Sequence, residues 1–397
     1  MPRTIVHLDL DAFFCAVEIL RNPALDGIPF AVGGKPNERG VVASCSYPAR
    51  QYGVRSAMPM SRAVQICPGL VIVPHHFDAY RAASGKVMAK LNNLSPMVEQ
   101  ISIDEAFLDV TGLPGSGEVI ARRLQNEIRD ELGLPSSLGV ASNKLVAKIA
   151  NNIGKAQART TTGTPKAITI VPPGEEAAFL ASLPIDELWG VGPKTAARLR
   201  QYGTATIGDL AQWRERDLKA LFGKNGVDLA RHARGLDERP VEADRETKSI
   251  SQEITFTRDV RDEEVLRRTI RRLAEGVGRK LRSEGLVGTT VKIKLRWSDF
   301  TTLSRQITVN PPLDQDSDLT RHALAVFDQT WIMNKPVRLI GVGVTGLETA
   351  YHQPGLWDVQ QSQQSQRWQA TLDELRERFG DQAIQRGSDF SPEDDDM

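Results

Sequence analysis

Hydrophobic and polar positions alternate along this chain in two registers. A short apolar, β-branched run from Thr4 to Leu10 predicts a buried strand, and Ala12 to Leu20 predicts a helix. Two more strands are expected at Ile28–Gly34 and Gly40–Ser46, then helices over Ser61–Cys67 and Phe77–Leu94. The stretch Val98 to Thr111 alternates on both sides of a polar centre, which predicts a hairpin with Asp104 and Glu105 at or near its turn. An amphipathic helix over Gly117–Leu132, a strand through "SSLGVAS" and a helix "KLVAKIANNI" capped by Ser142 or Asn143 complete the series. The order β-α-(insert)-β-β-α-β is the ferredoxin-like arrangement, with residues 12 to 74 holding the extra elements. Gly154 to Lys166 reads as a polar loop, and residues 166 to 232 as helical. A Pro-interrupted polar tract, Gly235 to Ser249, suits a linker. Strands and helices from 250 to 347 predict a second α/β domain, followed by a Gln-rich tail with one helix and an acidic end.

Composition changes this picture little. The chain has 397 residues, too many for one core, and 40% of them are hydrophobic. Fifty basic residues balance fifty acidic ones, so any basic surface must be local. Cys15, Cys45 and Cys67 are too few and scattered for a disulfide framework, and no Cys/His group has zinc spacing. There is no signal-peptide pattern and no apolar run of membrane-spanning length, so a cytoplasmic protein is expected.

The candidate chemistry starts at Asp9, where the first strand ends. In a ferredoxin-like sheet the first and third strands are neighbours, so Asp9, Asp104 and Glu105 should converge. With no basic partner nearby in sequence, three carboxylates are expected to remain anionic only around bound cations, and oxygen ligands favour Mg²⁺ or Mn²⁺. Ser44, Tyr47 and Arg50 follow a strand exit and can reach a polyphosphate, with Arg50 as planar donor and Lys155 as a further positive charge. In "GVGPKTAARL", Gly190 and Gly192 form a turn followed by Lys194 and Thr195, a pattern similar to a helix-hairpin-helix that holds DNA phosphate by backbone N–H groups. Between Arg261 and Phe300 stand eleven Lys/Arg against six Asp/Glu. The strand "TTVKIKLRW" sets Lys292, Lys294 and Arg296 on one face, a candidate phosphate track.

The motifs "HLDLDAFFCAVE", "VVASCSYPARQYGVRSAMPMSRA", "FDAYRAAS", "SIDEAFLDVT", "GVASNKLVAKIAN" and "LWGVGPKTAARL" occur in the order found in Y-family DNA polymerases. Over residues 1 to 347 the chain most resembles the bacterial DNA polymerase IV (DinB) branch. The resemblance implies a right-hand α+β polymerase: a ferredoxin-like palm (1–11 and 75–165), small fingers (12–74), a helical thumb with the helix-hairpin-helix (166–234), a tether (235–244), an α/β little finger (245–347) and a tail (348–397). It also implies low-fidelity, template-directed addition of dNTPs to a primer 3′-OH, across damaged templates and without proofreading, by a monomer using two Mg²⁺ ions, with Mn²⁺ able to substitute. By the same resemblance Asp9, Asp104, Glu105 and the Leu10 carbonyl hold metal, and Ser44, Tyr47, Arg50 and Lys155 hold the triphosphate. Phe14 excludes a 2′-hydroxyl, Phe13 shapes the same pocket, and Asp11 is structural. The peptide "QPGLW", with Gln353, Leu356 and Trp357, resembles the segment that bacterial polymerases dock into the sliding clamp (beta). A nucleotidyl cyclase would share the palm and its carboxylates but needs no "GVGPKTAARL". A silent DNA-binding accessory would keep the basic domain but not the carboxylates.

Overall fold

The computed structural model describes residues 2–161, 165–244, 246–350 and 359–380, in two compact units, 1–245 and 246–397. In the first unit β1 (Ile5–Leu10) leads through α1 (Phe13–Arg21) to a small sheet of β2 (Phe30–Gly33) and β3 (Val42–Cys45), then to α2 (Tyr47–Gln51), α3 (Met60–Ile66) and β4 (Val71–Val73). The chain continues into α4 (Phe77–Leu94), the hairpin β5 (Val98–Gln100) and β6 (Glu105–Asp109), α5 (Gly117–Leu132), β7 (Ser136–Ala141), α6 (Lys144–Thr161) and β8 (Ile168–Ile170). The main sheet has the order β5-β6-β1-β7-β8. Its first four strands carry the expected ferredoxin-like order, with β1 antiparallel to both β6 and β7 and Asp9 directly opposite Glu105.

Period-two alternation in "IVHLDL" decides what each face receives. Val6, Leu8 and Leu10 enter a core with Val87 and Leu91 of α4 and Leu124 and Ile128 of α5. Ile5 and Phe107 turn the other way, onto Leu145, Val146 and Ile149 of α6, and this second core continues into the helices that follow. His7 and Asp9 share the face of Ile5, which is why polar groups run beneath α6. That helix lies close on the sheet: a Cβ on Gly139 would fall 2.0 Å from the Ala147 carbonyl oxygen.

Three expectations need correction here. The helix does not stop at Ile153 but continues to Thr161; of the two expected cap residues Asn143 serves, its Oδ1 accepting from Val146 N at 3.0 Å. Gly154, read as the start of a loop, is a packing glycine, since a Cβ there would meet Thr169 Oγ1 at 2.1 Å. The strong helix formers around it carry the helix on. A fifth strand, β8, pairs parallel to β7, so the sheet extends past residue 165. All three cysteines are free and buried.

Helices α7 (Glu176–Ala181), α8 (Pro193–Gln201), α9 (Ile207–Ala211), α10 (Glu215–Phe222) and α11 (Lys224–His232) complete the first unit. The second contains β9 (Ser249–Val260), α12 (Glu263–Ser283), β10 (Leu286–Trp297), β11 (Thr302–Leu313), α13 (Asp316–Asp328), β12 (Val337–Thr349) and α14 (Val359–Phe379). Its antiparallel sheet has the order β11-β10-β12-β9. Val291, Ile293, Leu295 and Trp297 of β10 are buried against Ile270 and Val277 of α12 and Phe327 of α13. The tail helix α14 is bound to this unit by charge: Arg282 grips Asp373 at 2.6 and 3.0 Å, and Arg376 reaches Glu275 at 3.1 Å. Among the described residues no helix is long and apolar enough to cross a membrane.

Candidate active site

The strand–helix junction at "DLDAFF" turns sharply. Ala12 takes a left-handed conformation, φ 47°, which a residue with a Cβ adopts only at a cost. The turn sends Asp9 and Leu10 to one side of a cleft and Phe13 and Phe14 to another. Ala43, Ser44, Arg50, Ser56, Asp104 and Lys155 complete its lining. Eight residues singled out by sequence therefore share one cleft: Asp9, Leu10, Phe13, Phe14, Ser44, Arg50, Asp104 and Lys155.

Glu105 and Tyr47 are not in that lining. Glu105 opposes Asp9 in the register, but its Oε2 accepts from Lys148 Nζ at 2.5 Å and lies 3.3 Å from His7 Nε2. Tyr47 begins α2 behind its cap Ser46, and its ring lies 5.0 Å beneath the Arg50 guanidinium. Arg50 is further fixed by Nε donating to the Cys45 carbonyl at 3.1 Å. Ser44 Oγ accepts from Cys15 Sγ at 3.5 Å.

The carboxylates are not without basic partners. Lys155 Nζ donates to Asp9 Oδ1 at 2.5 Å and stands 3.0 Å from Asp11 Oδ1, while Lys148 neutralises Glu105. For Asp9 and Glu105 the expectation that only bound cations could balance the charge is therefore corrected. It failed because the partners are distant in sequence and reach the strand from the helix above it. Lys144, Lys148, Asn151 and Lys155 recur at helical spacing on one face of α6. Lys148, His7 and Ser56 went unnoticed in the sequence; the spacing of Lys148 and Lys155 is the signal that could have found the first.

Burial acts differently on the two facing acids. It pushes Asp9 up to about 6, a rise that Lys155 only partly offsets. Glu105 is pushed up by burial too, but the bonds from His7 and Lys148 outweigh this and hold it at about 2. Burial lowers His7 to about 4, so it is neutral at pH 7. Asn151 Nδ2 donates to its Nδ1 at 3.0 Å, which puts the imidazole proton on Nε2, facing Glu105. Asp104 accepts from the Ser102 hydroxyl. Asp11 is fully buried, accepts from Ser137 Oγ at 2.8 Å and from Lys166 N at 3.1 Å, and so has a structural place.

The aromatic side of the cleft is layered. Phe13 is buried, and half-buried Phe14 stacks on Tyr80 with centroids 4.3 Å apart and planes 16° from parallel.

Away from the cleft, Gly190 turns the chain at φ 98°, Gly192 caps α8, Lys194 is exposed and Thr195 half-buried. Lys292, Lys294 and Arg296 share the sheet face opposite α12 and α13. Lys294 pairs with Glu253 at 2.7 Å and Arg296 donates to Thr302 Oγ1 at 2.9 Å. Gln353, Leu356 and Trp357 lie outside the described residues.

Against known proteins, residues 8–152 match the impB/mucB/samB family, 247–356 that family's C-terminal domain, and 173–204 the IMS family HHH motif. A DNA polymerase IV of Desulfatibacillum aliphaticivorans is 41% identical over 387 residues, spanning 96% of this chain and 95% of the relative. DNA polymerase IV 1 of Bacillus subtilis (strain 168) is 36% identical over 400 residues, spanning 99% and 94%. Among solved structures, a Y-family DNA polymerase chimera superposes with a TM-score of 0.78 at 27% identity, covering 87% of this chain and 100% of its own. The insertion ternary complex of Dbh DNA polymerase gives 0.62 at 27% identity and the same coverage. The likeness runs through both units and the helical segment between their sheets, and on it the chain belongs to the impB/mucB/samB family, in the DNA polymerase IV branch of the Y-family DNA polymerases.

Proposed function

We propose that the chain extends a primer on a DNA template, joining the 3′-OH to the α-phosphorus of a dNTP and releasing pyrophosphate. It does so at low fidelity, past damaged bases, and without proofreading. One observation carries this reading: carboxylates, the cationic side chains of Arg50 and Lys155 and a half-buried aromatic ring share a single cleft. We assign the palm to 1–11 and 75–170, with the strand Ile168–Ile170 closing its sheet, the fingers to 12–74 and the thumb to 171–234. The tether is 235–244, the little finger 245–347 and the tail 348–397.

Asp9, Asp104, the Leu10 carbonyl and Glu105 would hold two Mg²⁺ ions. The donor set suits a hard cation, since every ligand is oxygen, and Asp9, whose acidity is suppressed by burial, gains from a positive neighbour. Among the described residues no three acidic, His or Cys side chains stand together as a ready-made metal group, and Glu105 must turn from Lys148 to join one. When bound, such ions lower the pKa of the attacking hydroxyl and neutralise the triphosphate. The chain's own residues do the rest. Arg50 presents a planar fork to the phosphates, with Ser44 and Tyr47 beside it. Lys155, poised between Asp9 and Asp11, is within the same cleft to bind them too. Phe14 forms the wall against which a 2′-hydroxyl would collide. Lys194, Thr195 and the Gly190–Gly192 turn, with Lys292, Lys294 and Arg296, would hold DNA phosphates.

The test is primer extension that depends on a divalent ion and is lost in Asp104→Ala. For the tail, we propose that Gln353, Leu356 and Trp357 dock on a sliding clamp. Deleting residues 353–357 should abolish stimulation of extension by clamp and leave clamp-free extension unchanged; undiminished stimulation would remove the assignment.

A further inference from the structure

Phe14 lies one helical turn before Glu18 on α1, so both face the same neighbour on α4. That neighbour is Tyr80, which is fully buried and serves both: its ring stacks under Phe14, and its hydroxyl donates to Glu18 Oε1 at 2.6 Å. Glu18 is itself buried, with 3% of its side chain exposed. The same Oε1 lies 2.8 Å from His76 Nδ1, and Oε2 accepts from Arg21 Nη1 at 3.1 Å. Phe77 meets Phe14 and Tyr80 edge-on, at 6.2 and 5.9 Å.

A carboxylate this deep is costly unless its oxygens are engaged. Here the compensation comes from the two elements whose spacing sets the height of the Phe14 ring. Stacking alone leaves a ring free to slide in its plane, because offset geometries differ little in energy. A short bond from the buried Tyr80 phenol to a buried carboxylate on α1, the helix that carries Phe14, fixes the lower ring relative to that helix and so holds the two rings at one offset. We infer that Glu18 is a positioning residue for sugar selection: through Tyr80 it fixes Phe14 against the cleft, and with His76 it ties α1 to the start of α4. The inference rests on the reading of Phe14 as the wall facing the sugar.

The experiment compares kcat/KM for a dNTP and the matching rNTP opposite one template base, in the full-length chain. Phe14→Ala, Glu18→Gln, Tyr80→Phe and the double variant Phe14→Ala/Glu18→Gln are measured beside the wild type. Glu18→Gln and Tyr80→Phe should each lower the dNTP/rNTP ratio, by about tenfold if one charge-assisted hydrogen bond is removed, and Phe14→Ala should lower it further. In the double variant Glu18→Gln should add nothing, because its effect passes through the ring. A merely structural carboxylate would lower the melting temperature and both efficiencies together, leaving the ratio unmoved. If Phe14→Ala leaves the ratio unchanged, the reading of Phe14 fails and the inference with it. If Phe14→Ala collapses the ratio while Glu18→Gln and Tyr80→Phe do not move it, the inference alone is overturned. Full additivity in the double variant would also overturn it. Should Glu18→Gln not fold, Tyr80→Phe, which removes only the hydroxyl, decides the matter.

Discussion

At the scale of single residues, Asp9 and Glu105 face each other across β1 and β6, yet their acidities diverge, to about 6 and about 2. For Asp9, raised above its unfolded value, the folded state favours the proton. Its stabilising contribution is complete below the unfolded pKa and is lost as pH rises through about 6. Glu105 has the opposite sign, stabilising above its unfolded pKa and losing that contribution as pH falls toward 2. Near neutrality the fold thus holds an Asp9 anion that burial has made less favourable than in the unfolded chain, a state suited to receiving a cation. In free protein labelled with ¹³C at Asp carboxyls, the resonance absent from Asp9→Asn should titrate near pH 6; a midpoint below 4 would contradict this. Asp9, Asp104 and Phe14 were legible because each sits in a local motif. Lys148, His7 and the Glu18–Tyr80 contact were not, since their partners are 43, 98 and 62 residues apart along the chain. Local spacing marks Lys148 as part of the α6 stripe but not the carboxylate it meets, and it gives no sign of the other two contacts.

At the scale of elements, α6 is the feature on which the site depends. Its polar stripe begins with Lys144, whose Nζ donates to Glu99 Oε2 at 2.7 Å, both side chains being under a tenth exposed. The same oxygen accepts from Glu242 N at 3.0 Å, so one carboxylate ties β5 to α6 and to the segment ending the first unit. Replacing Lys144 by Met leaves that charge buried and unpaired, and should cost about 3–5 kcal/mol in urea unfolding. The double change Lys144→Met/Glu99→Met should recover much of it; a single-variant loss below about 1 kcal/mol would show the pair to be idle. Strands β1, β2, β3 and β7, the β5–β6 hairpin and helices α1, α3, α4 and α5 followed from periodicity, since a half-buried strand and an amphipathic helix advertise themselves, whereas α2 and the three-residue β4 did not. The end of α6 did not, because a glycine that breaks a helix and one that lets a strand approach look alike in sequence. β8, three residues long, is too short for alternation to register.

At the scale of the molecule, two units join at a polar tract that composition had marked. The second presents Lys292, Lys294 and Arg296 from one sheet face, a layout that supports binding to backbone phosphates without reading bases. Changing all three to Gln should make the log–log salt dependence of duplex DNA affinity shallower by about 2–3, at roughly 0.9 per lost phosphate contact. A slope unchanged within 0.5 would exclude them from the interface. The tail helix α14 had no assigned place in the sequence. Its anchors, Gln369, Asp373 and Arg376, meet Asp316, Arg282 and Glu275, and such charged partners leave no hydrophobic signature.

We propose that metal-dependent nucleotidyl transfer takes place in the cleft lined by Asp9, Asp104 and Lys155. The most direct test is single-nucleotide insertion into a primed template, with Mg²⁺ supplied, by wild type and by Asp104→Ala, with DNA affinity measured in parallel. Removing a ligand should forfeit several kcal/mol of transition-state stabilisation, a fall in kcat/KM of about a thousandfold or more, at DNA affinity unchanged within about threefold. An Asp104→Ala protein that inserts within tenfold of the wild-type rate would mean that Asp104 holds no catalytic metal.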